Sequence, residues 1–161
     1  MNADPRVTEF LPTRPDRRAT EAMIARAEAS FVTNGFGLWA VELRESGTFA
    51  GYVGFQRPTF QAPFTPCIEI GWRLSPDEWG KGYATEGARA VVRYGFEILA
   101  LEEILSWTVP ENVRSRRIMT KLGMTHDPRD DFDHPLLPEG HPLRRHVLYR
   151  MGRLRGGSEA A

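Results

Sequence analysis

Apolar positions recur along this chain with two different periods, and the switches between them divide it into elements. Ala19, Met23, Ala27 and Phe31 repeat at helical spacing, behind a start signal in which Thr13 reads as the cap, with Pro15 and the acid Asp16 after it, and ahead of a stop at Asn34-Gly35. Residues 36–43 and 48–56 are rich in aromatic and β-branched side chains, and the turn residues Glu45-Ser46-Gly47 between them predict a hairpin. Residues 67–74 alternate, with Ile68, Ile70, Trp72 and Leu74 on one face and Glu69, Gly71 and Arg73 on the other. Between residues 84 and 99 the period returns to helical: Ala84, Ala88, Val91, Val92 and Ile98 form one stripe, opposite Glu86, Arg89, Arg93 and Glu97. A strand over 104–109 and a short helix over 112–122 follow, the helix capped by Asn112 and stopped by Gly123. An irregular stretch, 125–144, precedes a last strand over 145–151. This order predicts an α/β (α+β) fold, one mixed sheet with helices packed on it.

Composition narrows the class. A chain of 161 residues with one cysteine predicts a single domain, over residues 1–153, built without disulfides, followed by a disordered polar tail, 154–161. The 21 basic side chains match 21 acidic ones, which argues against nucleic acid or an anionic membrane as the main partner. The first residues lack a signal peptide's basic start and apolar stretch, and no apolar run nears the ~20 residues of a membrane span. The expectation is a cytoplasmic protein with Cys67 reduced.

Most chemical content lies in Trp79-Gly80-Lys81-Gly82-Tyr83-Ala84-Thr85-Glu86, where a strand has just ended and a helix begins. Two glycines let the backbone curl with its N–H groups inward, and the helix N-terminus adds partial positive charge, a geometry suited to an anion such as pyrophosphate. The same glycines would also serve as a plain tight turn. A P-loop requires Ser or Thr where Gly82 stands, and a dinucleotide fingerprint requires Gly or Ala where Thr85 stands, so ATP and NAD are disfavoured.

These segments together resemble a known family. Ile68-Glu69-Ile70-Gly71-Trp72-Arg73-Leu74, then the glycine turn, then Asn112, Ser115 and Lys121-Leu122-Gly123-Met124 look like the acetyl-CoA signature of the GNAT N-acetyltransferase superfamily. They look most like its branch of ribosomal-protein N-terminal acetyltransferases. The resemblance implies a GNAT fold, with strands 67–74 and 104–109 splayed apart, the pantetheine arm of acetyl-CoA between them, and helices on both faces of the sheet. Backbone around Trp72, Arg73 and Leu74 would hold the arm, the N–H groups of Gly80, Lys81, Gly82, Tyr83, Ala84 and Thr85 would cradle the pyrophosphate, and Asn112 would contact the cofactor near its acetyl end.

Acetyl transfer to an amine requires a neutral nucleophile, an oxyanion donor and a proton for the departing thiolate. Many family members supply that proton from a Tyr on the helix that here starts at Asn112, and this helix has none. Ser115, three before Ile118 and four before Met119, falls on the inward stripe and is the substitute; the alternative is that it only completes the helix's first turn. Glu69 is the candidate base, because an acid in mid-strand needs a partner or a task. Its alternatives are a structural salt bridge, with Arg57 for instance, and a water relay that leaves no side chain essential.

The acids and histidines between His126 and His146 lack zinc-site spacing, so no metal is expected; placed beside the cleft, the acids would attract a cationic amine. His146 reads as structural. Family members ordinarily begin with a further strand pairing with residues 36–43, so the resemblance implies an exposed sheet edge here or one covered by a partner, such as a second copy in a homodimer. The predicted function is a transferase moving acetyl from acetyl-CoA, as co-substrate, to a primary amine on a protein N-terminus or small molecule, by direct attack in a ternary complex. The alternative is a non-catalytic acyl-CoA-binding sensor.

Overall fold

The computed structural model describes residues 1–153. The predicted tail, 154–161, lies outside the described residues. The chain opens with a single helical turn, α1 (Pro5–Thr8), too short to show a period in the sequence. Asp4 caps it by accepting the Arg6 N–H at 2.9 Å. Helix α2 (Arg17–Asn34) is capped by Asp16, whose carboxylate accepts from the Ala19 N–H, and not by Thr13. The cap must immediately precede the first helical residue to reach its third N–H, and only Asp16 does. Gly35, at φ +74°, ends α2 as expected.

The hairpin forms as β1 (Leu38–Glu42) and β2 (Phe49–Gln56), and β3 spans Glu69–Leu74. Helix α3 (Tyr83–Glu97), β4 (Glu103–Thr108) and α4 (Val113–Leu122) follow close to their predicted bounds. The predicted irregular stretch contains two short strands, β5 (Thr125–His126) and β6 (Phe132–Asp133), and both pair with the last strand, β7 (Arg145–Gly152). Two residues cannot display a period, which is why the alternation rule passes over them.

The sheet order is β1-β2-β3-β4-β7-β5, with β6 also on β7, and β1 is the terminal strand among the described residues. Every pairing is antiparallel except β3 with β4. That pair is parallel because α3 carries the chain back across the sheet. On one face Val53, Phe55, Ile70, Ile104, Val147 and Tyr149 form a buried cluster with Ala88 and Val91 of α3 and Met119 of α4. Each large side chain in it stabilises the fold by about 1.5–3 kcal/mol. The opposite face carries Glu69 and Arg73 of β3, with their register partners Gln56 and Tyr52 on β2 and Leu105 on β4.

Candidate active site

Strands β3 and β4 hold only one register pair, Glu69 with Leu105, and then separate. The Leu105 N–H donates to Ile68 O at 2.9 Å, and the buried Ser106 hydroxyl donates to Ile70 O at 2.9 Å, closing the apex of the gap. The backbone groups that face β4 recur at alternate residues, so those of Trp72 and Leu74 point into the gap beyond the apex. The indole N–H of Trp79 takes the Leu74 carbonyl at 2.9 Å. Arg73, one residue out of phase, pairs with Tyr52 on β2. Around this gap lies a cleft of about 890 Å³, within the size range of small-molecule sites.

The glycine turn lies at one end of this cleft. Gly80 and Gly82 both adopt left-handed backbone, φ +76° and +92°, where a side chain is strained. A Cβ placed on either would meet no atom of the protein within 4 Å, so the glycines keep open the space in front of the helix. Gly82 caps α3 without a side chain, which leaves the first N–H groups of the helix free to receive an anion. Lys81 is not among the cleft-lining residues and pairs at 3.1 Å with Glu78, which is. Beside it, Arg89, Arg93 and Lys121 line a second, open hollow together with Lys81 and Gly82. That cationic rim was not singled out from the sequence: Arg89 and Arg93 read there as the polar face of α3, and only the packing of α4 brings Lys121 beside them.

All the expected site residues except Lys81 line the main cleft. Asn112 caps α4, its Oδ1 accepting the Ser115 N–H at 3.2 Å while its amide donates to the Thr108 hydroxyl at 2.9 Å. Ser115 is half-buried on the cleft side of α4. Glu69 accepts a hydrogen bond from the Gln56 amide at 2.7 Å. Arg57 is not its partner, lying instead over the Phe36 ring at 5.7 Å. Burial pushes the Glu69 carboxyl up to about 8, against the opposing pull of the Gln56 bond. Cys67 does not line the cleft, and burial, with Glu69 nearby, pushes its thiol up to about 11.

Two histidines also line the cleft. His146, read from the sequence as structural, approaches Arg144 O through Nδ1 at 3.1 Å; a carbonyl only accepts, so Nδ1 carries the proton and Nε2 is left with a lone pair. His134 accepts the Leu136 N–H through Nδ1 at 3.3 Å. Burial lowers both pKa values and keeps both rings neutral near pH 7. Behind them Phe60, Phe64, Trp107 and Phe132 pack edge to face. The pairing of Phe132 with His146 across β6 and β7 assembles this wall, and no local signal marks that register.

The loop acids do not face the cleft, which corrects the expectation that they attract the substrate. Asp127 pairs with Arg129, Asp130 with Arg150 at 2.7 Å, Asp131 with His126 at 2.7 Å, and Asp133 with Arg144 and Arg145. Among the described residues no group of three or more His, Cys, Asp or Glu is placed to hold a metal ion, and no helix is long and apolar enough to cross a membrane.

The profile of a family described as an acetyltransferase (GNAT) domain matches residues 1–125. Over 96 residues the chain is 46% identical to the FsC-acetyl coenzyme A-N(2)-transacetylase of Aspergillus fumigatus, a match covering 57% of this chain and 40% of that protein. The chain thus spans less than half the length of this relative. The crystal structure of an acetyltransferase from Agrobacterium tumefaciens superimposes with a TM-score of 0.72 at 28% identity, covering 94% of this chain and 81% of the other. The ribosomal-protein-S5-alanine acetyltransferase of Vibrio fischeri shares the fold, with a TM-score of 0.73 at 14% identity over 96% of this chain and 86% of that one.

Proposed function

The chain belongs to the GNAT acetyltransferase family, and on that premise we propose that its cleft transfers an acetyl group from acetyl-CoA to a primary amine by direct attack in a ternary complex. The observation that carries this reading is the loss of β3–β4 pairing beyond Glu69 and Leu105, in a cleft that the glycine turn also lines. A pantetheine arm carries amide donors and acceptors at a spacing that suits the Trp72 carbonyl and the Leu74 N–H, as an added strand would. The free N–H groups from Lys81 to Thr85 suit a pyrophosphate, and Lys81, Arg89, Arg93 and Lys121 suit a further phosphate at the rim. Asn112 keeps one amide hydrogen for a ligand after serving Thr108 and Ser115.

When bound, acetyl-CoA supplies an activated acyl carbon and a thiolate leaving group. In the proposed reaction the amine lone pair forms the new C–N bond, the C–S bond breaks, one amine proton leaves, and the sulfur gains a proton. Glu69, once ionised, takes the amine proton directly or through water. The N–H of Trp72 donates to the developing oxyanion, and the Ser115 hydroxyl donates a hydrogen bond to the departing thiolate and relays to it a proton from water, which restores the hydroxyl. Direct attack needs no acyl-enzyme, in keeping with a Cys67 thiol that is protonated and outside the cleft.

Thermal unfolding with saturating acetyl-CoA, beside dephospho-CoA and NAD, tests the cofactor site, and thiol release with added amines tests transfer. Ligand at 100 times its dissociation constant adds about 2.7 kcal/mol, roughly 5–11 °C at this chain length. A folded protein with no shift on acetyl-CoA overturns the reading. A shift with no thiol release from any amine identifies a sensor instead of an enzyme.

A further inference from the structure

The acceptor end of the cleft has a composition that selects among amines. Among the described residues two side-chain carboxylates line the cleft, Glu69 and Glu78. Glu69 is held by Gln56, and Glu78 is occupied by Lys81. The side chain of Arg73 also lines the cleft, bonded to Asn2 Oδ1 at 3.2 Å and lying 5.4 Å over the Tyr52 ring, with no carboxylate within ion-pair distance among the described residues. Arg6, Arg114, Arg117 and Lys121 add further positive charge to the lining, and apolar side chains form part of the wall. Phe10 and Leu11 line it after α1, and Leu136, Leu137 and Leu143 line it from the loop between β6 and β7. Leu136 is 67% exposed although it borders the cleft, so its side chain has an apolar surface with nothing packed on it.

We propose that the amine acceptor is a monoamine carried on an apolar body, an arylalkyl or branched aliphatic group, and not a polyamine or other polycation. This rests on the acetyl-transfer reading above. One amine fits beside Glu69, and the rest of the molecule lies against the leucines and Trp107, the member of the aromatic cluster that lines the cleft. A second ammonium group would find Arg73 and neutral imidazoles where it needs a carboxylate, and would lose its hydration without an ion pair.

The test compares kcat/KM for 2-phenylethylamine and L-leucinamide with that for putrescine and spermidine, by thiol release at saturating acetyl-CoA. The expected result is a preference of about tenfold or more for the apolar monoamines. Leu136→Asp, at an exposed position, is expected to raise KM for 2-phenylethylamine about tenfold with kcat and the acetyl-CoA melting shift unchanged. Equal or better turnover of putrescine or spermidine overturns the proposal, and so does a Leu136→Asp enzyme with unaltered KM. An acetyl-CoA shift without turnover of either apolar amine overturns the substrate class and leaves the cofactor site standing. Absence of both the shift and all turnover overturns the underlying acetyl-transfer reading, and the substrate class with it.

Discussion

The side-chain amide of Gln56 donates to Oε2 of Glu69 at 2.7 Å, across a register pair of β2 and β3 on the cleft face of the sheet. One amide hydrogen bond offsets only part of the cost of burying a carboxylate, so Glu69 holds its proton up to about pH 8. If the ionised form is the base, log kcat/KM, expressed per unprotonated amine, rises with unit slope below about pH 8 and levels above it, leaving roughly one-tenth of full activity at pH 7. Glu69→Gln is expected to abolish this limb and to lower the plateau at least about 100-fold. An unchanged pH profile in the variant would assign proton removal to water.

The same shift sets a stability trend. Folding raises the Glu69 carboxyl from 4.5 to about 8, so the native state retains a proton that the unfolded chain releases. The associated stability is whole below pH 4.5 and is lost as pH rises through about 8. Glu69→Gln keeps a hydrogen-bonding partner for Gln56 without titrating. Its melting temperature relative to the parent protein is therefore expected to climb between pH 6 and pH 9; a constant difference would show that the carboxyl titrates normally.

Ser115 and Asn112 separate catalysis from capping. Ser115→Ala leaves the backbone N–H that Asn112 accepts, so it is expected to lower kcat about 100-fold with little change in melting temperature or acetyl-CoA affinity. Asn112→Ala removes the cap and the Thr108 bond, costing about 1 kcal/mol, roughly 2–4 °C. If Ser115→Ala retains full turnover, the hydroxyl only completes the first turn of α4.

The glycine turn and its rim act on affinity. Gly82→Ala forces a side chain to φ +92°, at a cost of about 1–2 kcal/mol, and places a methyl group in the open space before α3. It is expected to lower the melting temperature and to diminish the acetyl-CoA shift. Arg93→Ala, on the exposed rim, should weaken acetyl-CoA by up to about fivefold and leave dephospho-CoA unaffected. Calorimetric titration of both ligands checks the pair, and equal losses for both would move the rim contact elsewhere.

Gly95 tests the core apart from the site. A Cβ there would lie 2.7 Å from Phe55 Cζ and 3.1 Å from Ile104 Cδ1, both fully buried. Gly95→Ala is expected to destabilise by about 1–3 kcal/mol, with the ligand-induced shift preserved. A melting temperature equal to the parent's would mean that α3 moves off the sheet at no cost.

The long elements were legible in sequence because their signals are local. The alternation of residues 67–74 places Glu69 and Arg73 on one face whatever packs against it, and the cap and stop of α4 lie within its own ends. The glycine turn was legible for the same reason: two glycines between a strand and an amphipathic helix constrain their own backbone. Where signals were shorter than a period, as in α1, β5 and β6, the sequence was silent or misleading.

Thus the amino-acid sequence by itself determined the order of the main elements, the anion-ready turn, and the facing of Glu69, Trp72, Asn112 and Ser115. Only the tertiary structure decided their partners: Gln56 and not Arg57 on Glu69, Asn2 and the Tyr52 ring on Arg73, the loop acids turned onto arginines and His126, and His134 and His146 lining the cleft. Each of those outcomes depends on strand register and on loop residues far apart in the chain. Local periodicity fixes which side of a strand a residue occupies, and it carries no information about what the neighbouring strand sets beside it.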